Sequence, residues 1–228
     1  MDKSEIIMLN ASINDFIVFT VSSSDEDYEK HLKKSLSGIP RLKSEFMLGK
    51  LDTNIAHEYN SFIARCKQRF VVFCHQDVEF SDDLIDVYLK FYDPAKIGAA
   101  GIIGKSADNA IVFGGIRPLC INYEITYKAR TLSGAPEQVM CLDSCMVIVD
   151  KECKGFFDEV VFNGLHCFVE DFCCQQRNRG RAVIVLPLRM VDHFGTTTKK
   201  CGDGWGNYLF YYHLLHYKWD KIIGVNTT

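Results

Sequence analysis

Residues 70–77 read FVVFCHQD: Phe70, Val71, Val72, Phe73 and Cys74 form an unbroken apolar run, and His75, Gln76 and Asp77 follow at once. Such a run has the length of a strand. A strand apolar on both faces is the mark of a buried parallel strand. In open α/β sheets ligands bind outside the carboxyl ends of the strands. Asp77 stands at that place, where a carboxylate can hold a divalent cation against phosphates. Asp is also at home in turns after strands, so the segment alone leaves a site and a plain turn both open.

Toward the amino terminus, Asp15–Ser22 (DFIVFTVS) predicts a first strand running into Ser23, Ser24 and Asp25. Tyr28, Leu32 and Leu36 recur every four residues and predict an amphipathic helix over Asp25–Leu36, ended by Gly38 and Pro40. A short strand is expected at Glu45–Leu48. A second helix is expected over Asn54–Lys67, with Ile55, Tyr59, Phe62 and Ile63 on one face. Past Asp77, Ser81–Phe91 predicts a third helix. Strand–helix alternation three times over implies right-handed βαβ crossovers and a largely parallel sheet, hence the α/β class.

Beyond Lys96 the texture changes. Ile97–Ile103, Ile111–Ile116, Tyr123–Tyr127 and Met146–Val149 read as short strands and loops, mixed or antiparallel. Glu170–Arg179 predicts a helix stopping at Gly180, Val183–Leu186 a strand, and Asn207–Trp219 a last helix rich in Tyr, Leu and His.

The bulk properties narrow the class. A chain of 228 residues suits one large α/β domain. A net charge of -3 has no basic excess, which argues against nucleic acid as a partner. The ten cysteines include no C-x-x-C pair, so they read as buried, reduced thiols. Met1–Asn10 is charged and does not resemble a secretory signal. No apolar stretch approaches the roughly 20 residues that span a bilayer. A cytoplasmic location is expected.

Four further groups can carry chemistry. Asp143 lies between two apolar runs, where a carboxylate is costly to bury unless paired; a strand-end turn is the plain alternative. Glu170 and Asp171 open a helix. There they can complement its dipole, or one of them can deprotonate an attacking hydroxyl. His166 precedes that helix. His193 stands before a polar loop, and a neutral imidazole there is a suitable metal ligand.

Order and spacing together resemble a known family, the glycosyltransferase-like group related to family 2, which has the GT-A fold. The most specific match is Val72-Phe73-Cys74-His75-Gln76-Asp77-Val78, similar to that family's "vvFxHQDv" segment. Gly98–Gly101, Leu142-Asp143, Phe157-Asp158-Glu159, Gly164-Leu165-His166 and Asp171 follow, and His193 ends the series. The matches span about residues 15–198.

The resemblance implies a GT-A nucleotide-diphospho-sugar transferase fold, with a mostly parallel central sheet and helices on both faces. One domain would fill residues 1–228: a nucleotide-binding half at 1–95, an acceptor and metal half at 96–200, and a carboxyl-terminal aromatic helix at 201–228. Asp77 and His193 would hold Mn²⁺ or Mg²⁺. His75, standing where the family's D-x-D-like element has its first carboxylate, is a further candidate ligand there and would join Gln76, Ser22, Asp52 and Asn60 on the nucleotide and donor side. Asp171 matches the catalytic base and implies inversion at the anomeric carbon; Glu170 is the neighbouring alternative. Asp143, His166 and Trp205 would line the donor-sugar or acceptor side. The implied donor is a UDP-, GDP- or dTDP-sugar. The acceptor would be a glycan or lipid-linked hydroxyl in polysaccharide biosynthesis.

The aromatic stretch Tyr208–Trp219 reads as core or homodimer contact, with the inner membrane surface as the competing partner. Two other functions are consistent with the sequence. One is a non-catalytic nucleotide-sugar or glycan-binding module on the same fold. The other is a metal-dependent hydrolase, disfavoured by the lack of an H-E-x-x-H motif.

Overall fold

The computed structural model describes residues 11–50, 52–105, 112–114, 116–118, 134–188, 191–194 and 204–223. The expected strand at Tyr123–Tyr127 lies outside them.

The first βαβ units form close to expectation. Strand β1 is Phe16–Ser22. Ser24 caps the helix that follows by accepting from the Asp27 amide. That helix is not uniform: α1 (Asp25–Asp27) passes into a π-helical turn, Tyr28–Leu32, and then α2 (Lys33–Ser37). Strand β2 (Lys43–Leu48) leads to α3 (Ile55–Arg65), whose cap is Asn54. Strand β3 (Phe70–Cys74) follows. A short β4 (Val78–Phe80), absent from the sequence reading, precedes α4 (Leu84–Phe91).

The second half is richer in strands. They are β5 (Ile97–Gly101), β6 (Ile103–Lys105), β7 (Val112–Gly114), β8 (Ile116–Pro118), β9 (Glu137–Val139), β10 (Cys141–Leu142) and β11 (Met146–Asp150). Helix α5 (Phe168–Asn178), β12 (Ala182–Val185), β13 (Val191–His193) and α6 (Gly204–Ile223) complete the described chain.

The main sheet has seven strands in the order β2-β1-β3-β11-β5-β12-β9. It is mainly parallel: β11 and β9 run against the other five. The buried β3 is therefore parallel to β1 on one side and antiparallel to β11 on the other. Apolar faces alone do not fix direction, because either ladder satisfies a buried strand's backbone groups. The insertion of β11 has a consequence for the site. Its amino-terminal end, Met146, pairs with Cys74 at the carboxyl end of β3, so the loop entering β11 lies at the ligand-binding edge.

Side chains alternate between two cores. Phe16, Val18, Phe70, Val72, Met146 and Ile148 face one side, with Leu36, Leu84 and Tyr88 from α2 and α4. Ile17, Phe19, Val71, Phe73, Val147 and Val149 face the other, with Tyr59 and Phe62 of α3 and Phe168 and Phe172 of α5. Helices thus cover both faces. Each such side chain, fully buried, contributes about 1.5–3 kcal/mol. Ring stacking adds specificity: Phe19 lies on Phe62 at 4.0 Å and Tyr59 on Phe73 at 3.9 Å.

The eight cysteines among the described residues are all free, six of them buried. No helix among the described residues is long and apolar enough to cross a membrane.

Candidate active site

The HQD segment begins where β3 loses its neighbour. The β1–β3 ladder ends at Phe19 and Phe73. The Thr20 hydroxyl then donates to the Cys74 carbonyl at 2.5 Å. The His75 amide donates to Cys145 O at 2.9 Å, holding the chain against the β11 loop. Two short strands bring in the distant histidine. β13 pairs antiparallel with β4, setting His193 opposite Val78, and the Phe194 amide donates to Asp77 O at 2.9 Å.

His75, Asp77 and His193 consequently converge, with ligand-capable atoms all within 4.8 Å of one another. Asp77 is 5% exposed. Its Oδ1 lies 3.4 Å from His193 Nε2 but receives no directed hydrogen bond. A buried carboxylate oxygen left so is costly unless a cation completes it, and the geometry fits a divalent ion. The donor set is two imidazoles and one carboxylate, with less oxygen than the Asp77–His193 pair had suggested. His75, expected on the donor side, turns its ring toward His193 at 5.6 Å.

The charges are mutually adjusted. Burial opposes ionisation of Asp77, but His193 and His75 outweigh it and hold the carboxyl below 3.8. Burial also opposes charge on His193, yet Asp77 outweighs it and holds this imidazole above 6.5. Burial and His193 push His75 below 6.5, keeping it neutral and able to ligate at pH 7.

Asp143 extends the cluster. It accepts from the Cys145 amide at 2.8 Å, an Asx-type turn that aims its carboxyl at the two histidines. The side chain reaches solvent rather than lying buried between the two runs; the surrounding chain still works against its charge, and His193, the Cys145 amide and His75 prevail and hold the carboxyl below 3.8. His166 is pushed below 6.5 by burial and by His75, and Tyr208 of α6 meets its ring edge-on at 5.5 Å. Cys167, between His166 and α5, has φ 64°. A non-glycine residue in that region is strained, and such strain gathers at functional sites.

Glu170 and Asp171 part company in the fold. Burial, and next the negative charge of Asp143, raise the Glu170 carboxyl from 4.5 to about 7, and its Oε2 has no hydrogen-bond partner. Asp171 faces the other way. It is fully buried and saturated: Oδ1 accepts from Trp219 Nε1 at 2.7 Å and Lys218 Nζ at 2.8 Å, and Oδ2 from Gln175 at 2.9 Å. Residues 170 and 171 are about 100° apart on a helix, which is why adjacent carboxylates take opposite environments. Trp219 closes the aromatic stretch read as core or homodimer contact, and it is buried; its bond to Asp171, and that of Lys218, could not be read from the sequence because the partner lies 48 and 47 positions away.

Other expected residues fall at varied distances from this cluster. Ser22 ends β1, with its hydroxyl donating to Ser24 O at 2.7 Å. The Gln76 amide reaches Ser23 Oγ at 3.3 Å. Asp52 is exposed in the turn before α3. The Asn60 amide is engaged elsewhere: it donates to Phe157 O at 2.7 Å and Glu159 Oε2 at 2.9 Å, and its oxygen accepts from the Phe157 amide at 3.0 Å. The side chain of Trp205 lies outside the described residues.

A mainly parallel sheet flanked by helices, with acidic and imidazole groups at its carboxyl edge, defines a GT-A type of protein. The chain belongs to the glycosyltransferase like family, whose sequence profile matches residues 17–200. Two solved structures share the fold. GalNAc-T7 with UDP, GalNAc and Mn²⁺ superimposes with a TM-score of 0.56 at 9% identity, over 92% of this chain and 48% of that one. S. aureus TarS 1-349 in complex with UDP-GlcNAc gives 0.51 at 10% identity, over 79% of this chain and 58% of that one. The chain thus spans about half the length of the GalNAc-T7 structure. A Fuscovulum blasticum protein named "ATP synthase subunits region ORF 6" is 26% identical over 205 residues, 78% of this chain and 76% of that protein.

Proposed function

We propose that this chain transfers a sugar from a nucleotide-sugar donor to an acceptor hydroxyl on a glycan or lipid-linked glycan, using a divalent cation held by His75, Asp77 and His193. The observation that carries the reading is the convergence of these three ligands beside Asp143 and Glu170 in a chain of this family. GalNAc-T7, similar in fold, binds UDP, GalNAc and Mn²⁺. Two imidazoles disfavour Mg²⁺, which demands oxygen ligands, and leave Mn²⁺ as the ion carried by the GalNAc-T7 structure.

A bound cation offsets the charge that builds on the departing diphosphate: opposite unit charges 4 Å apart interact by about 4 kcal/mol at an effective dielectric of about 20, roughly three decades of rate if realised only in the transition state. The chain's own groups do the rest. Asp77 stays ionised and His75 neutral at pH 7, so both are ready to bind. Glu170, with a carboxyl at about 7 and an unpartnered oxygen, is poised to take the acceptor's proton. Direct attack by that hydroxyl inverts the anomeric carbon. Asp171, matched to the catalytic base by resemblance, acts instead as the anchor of α6. Asp143 keeps charge beside the two histidines, and His166 presents a neutral imidazole at the same edge.

The test is a thermal-shift panel of UDP-, GDP- and dTDP-sugars with and without Mn²⁺, followed by transfer and donor-hydrolysis assays. A ligand at about 100 times its Kd adds about 2.7 kcal/mol of apparent stability. One donor class should stabilise the protein, and EDTA or Asp77→Ala should abolish the shift. A metal-independent shift without transfer or hydrolysis would point to a binding module.

A further inference from the structure

We infer that the π-helical turn Tyr28–Leu32 is a clamp on the two strands that carry the metal ligands, with His31 as its positioning residue. The inference rests on the metal centre proposed above. In this turn the Lys33 amide bonds five residues back, to Tyr28 O. Beside this turn the Leu32 N–H donates out of the helix, to Gln76 O at 3.2 Å. That carbonyl lies between His75 and Asp77.

His31 supplies two more points of contact. It is 5% exposed, although it is a polar residue on a helix. Its Nδ1 lies 2.9 Å from Glu79 Oε1. Its ring stacks on Phe194 at 3.9 Å and 23°. Glu79 belongs to β4, and Phe194 directly follows His193 on β13. One imidazole therefore bridges the segment bearing Asp77 and the segment bearing His193. The Phe194 amide closes the arrangement by donating to Asp77 O.

The ligands need such a support. Asp77 and His193 are 116 positions apart, and β4 and β13 pair over only three residues each. An apolar residue at position 31 would stack on Phe194 equally well. Only a group with a polar edge also fixes Glu79, whose second oxygen accepts from Lys34 at 3.0 Å; groups bonded directly to metal ligands govern affinity by about 10–100-fold, and His31, one residue removed from them, belongs at the lower end.

The experiment is a Mn²⁺ titration of the full chain without nucleotide, following free Mn²⁺ by electron paramagnetic resonance, with the metal-free melting temperature recorded for each variant. His31→Ala should weaken Mn²⁺ about 10-fold, the lower end of that range. His31→Phe, which keeps the stack and drops the Glu79 contact, should fall between His31→Ala and wild type. Phe194→Ala, which removes the stack and leaves the Glu79 contact, should also fall between His31→Ala and wild type, and the double variant should lose no more than His31→Ala, because that variant already lacks the stack. Wild-type Mn²⁺ affinity in His31→Ala and Phe194→Ala, whatever their melting temperatures, would overturn the clamp while leaving the metal centre intact. Unchanged affinity in Asp77→Ala would overturn the metal centre and the clamp with it. Where His31→Ala does not fold, Phe194→Ala decides alone.

Discussion

Replacing Glu170 by Gln separates the roles of the two adjacent carboxylates. In the folded chain, burial and Asp143 raise Glu170 from 4.5 to about 7. A raised carboxyl favours folding while protonated. The stabilisation is complete below about pH 4.5 and is lost as pH climbs through about 7. At 1.36 kcal/mol per pH unit, the gap between 4.5 and about 7 amounts to about 3 kcal/mol. Glu170→Gln is neutral at every pH and close in shape, so it escapes that loss. Urea unfolding of wild type and variant in EDTA, from about pH 4.5 to 8.5, measures the difference. The variant should match wild type near pH 4.5 and gain up to about 3 kcal/mol by pH 8.5. Its transfer activity should fall by about 10²–10⁴-fold, the usual worth of a general base. In wild type, kcat/KM should rise with pH through about 7. A stability difference independent of pH, or full activity in Glu170→Gln, would refute the argument.

Three further outcomes follow from particular contacts. Asp171→Asn leaves Lys218 with Asp158 as its carboxylate partner and weakens the anchor of α6; it should cost about 1–3 kcal/mol in chemical denaturation while the folded fraction keeps its activity. Mn²⁺ affinity should fall as pH drops, since protons compete for His193, held above 6.5; calorimetry in two buffers of different ionisation enthalpy should register proton release. Gly101→Ala would place a Cβ 2.8 Å from Met146 O and 3.0 Å from Leu142, and should destabilise by about 1–3 kcal/mol in urea melts.

The sequence by itself determined the elements whose signals are local. The DFIVFTVS and FVVFC runs, the four-residue spacing of Tyr28, Leu32 and Leu36 and the apolar face of Ile55, Tyr59, Phe62 and Ile63 are each local patterns, so β1, β3, α3 and the segment from Asp25 onward were legible. HQD, Asp143, Glu170 and His193 were legible as candidates only through their order and spacing together, because a polar group at the end of an apolar run is ordinary by itself. Strand direction, partner choice and side-chain aim were decided only by tertiary structure. β11 enters the sheet reversed because its ladder is completed by β3 and β5, which no residue within it announces. β4 and β13, three residues each, carry too little periodicity to be recognised, yet their pairing places His193 beside Asp77. Glu170 and Asp171 look alike in sequence. The fold sends one toward Asp143 and the other under Lys218 and Trp219, and a carboxyl's chemistry follows from the charges and solvent around it rather than from its neighbours along the chain.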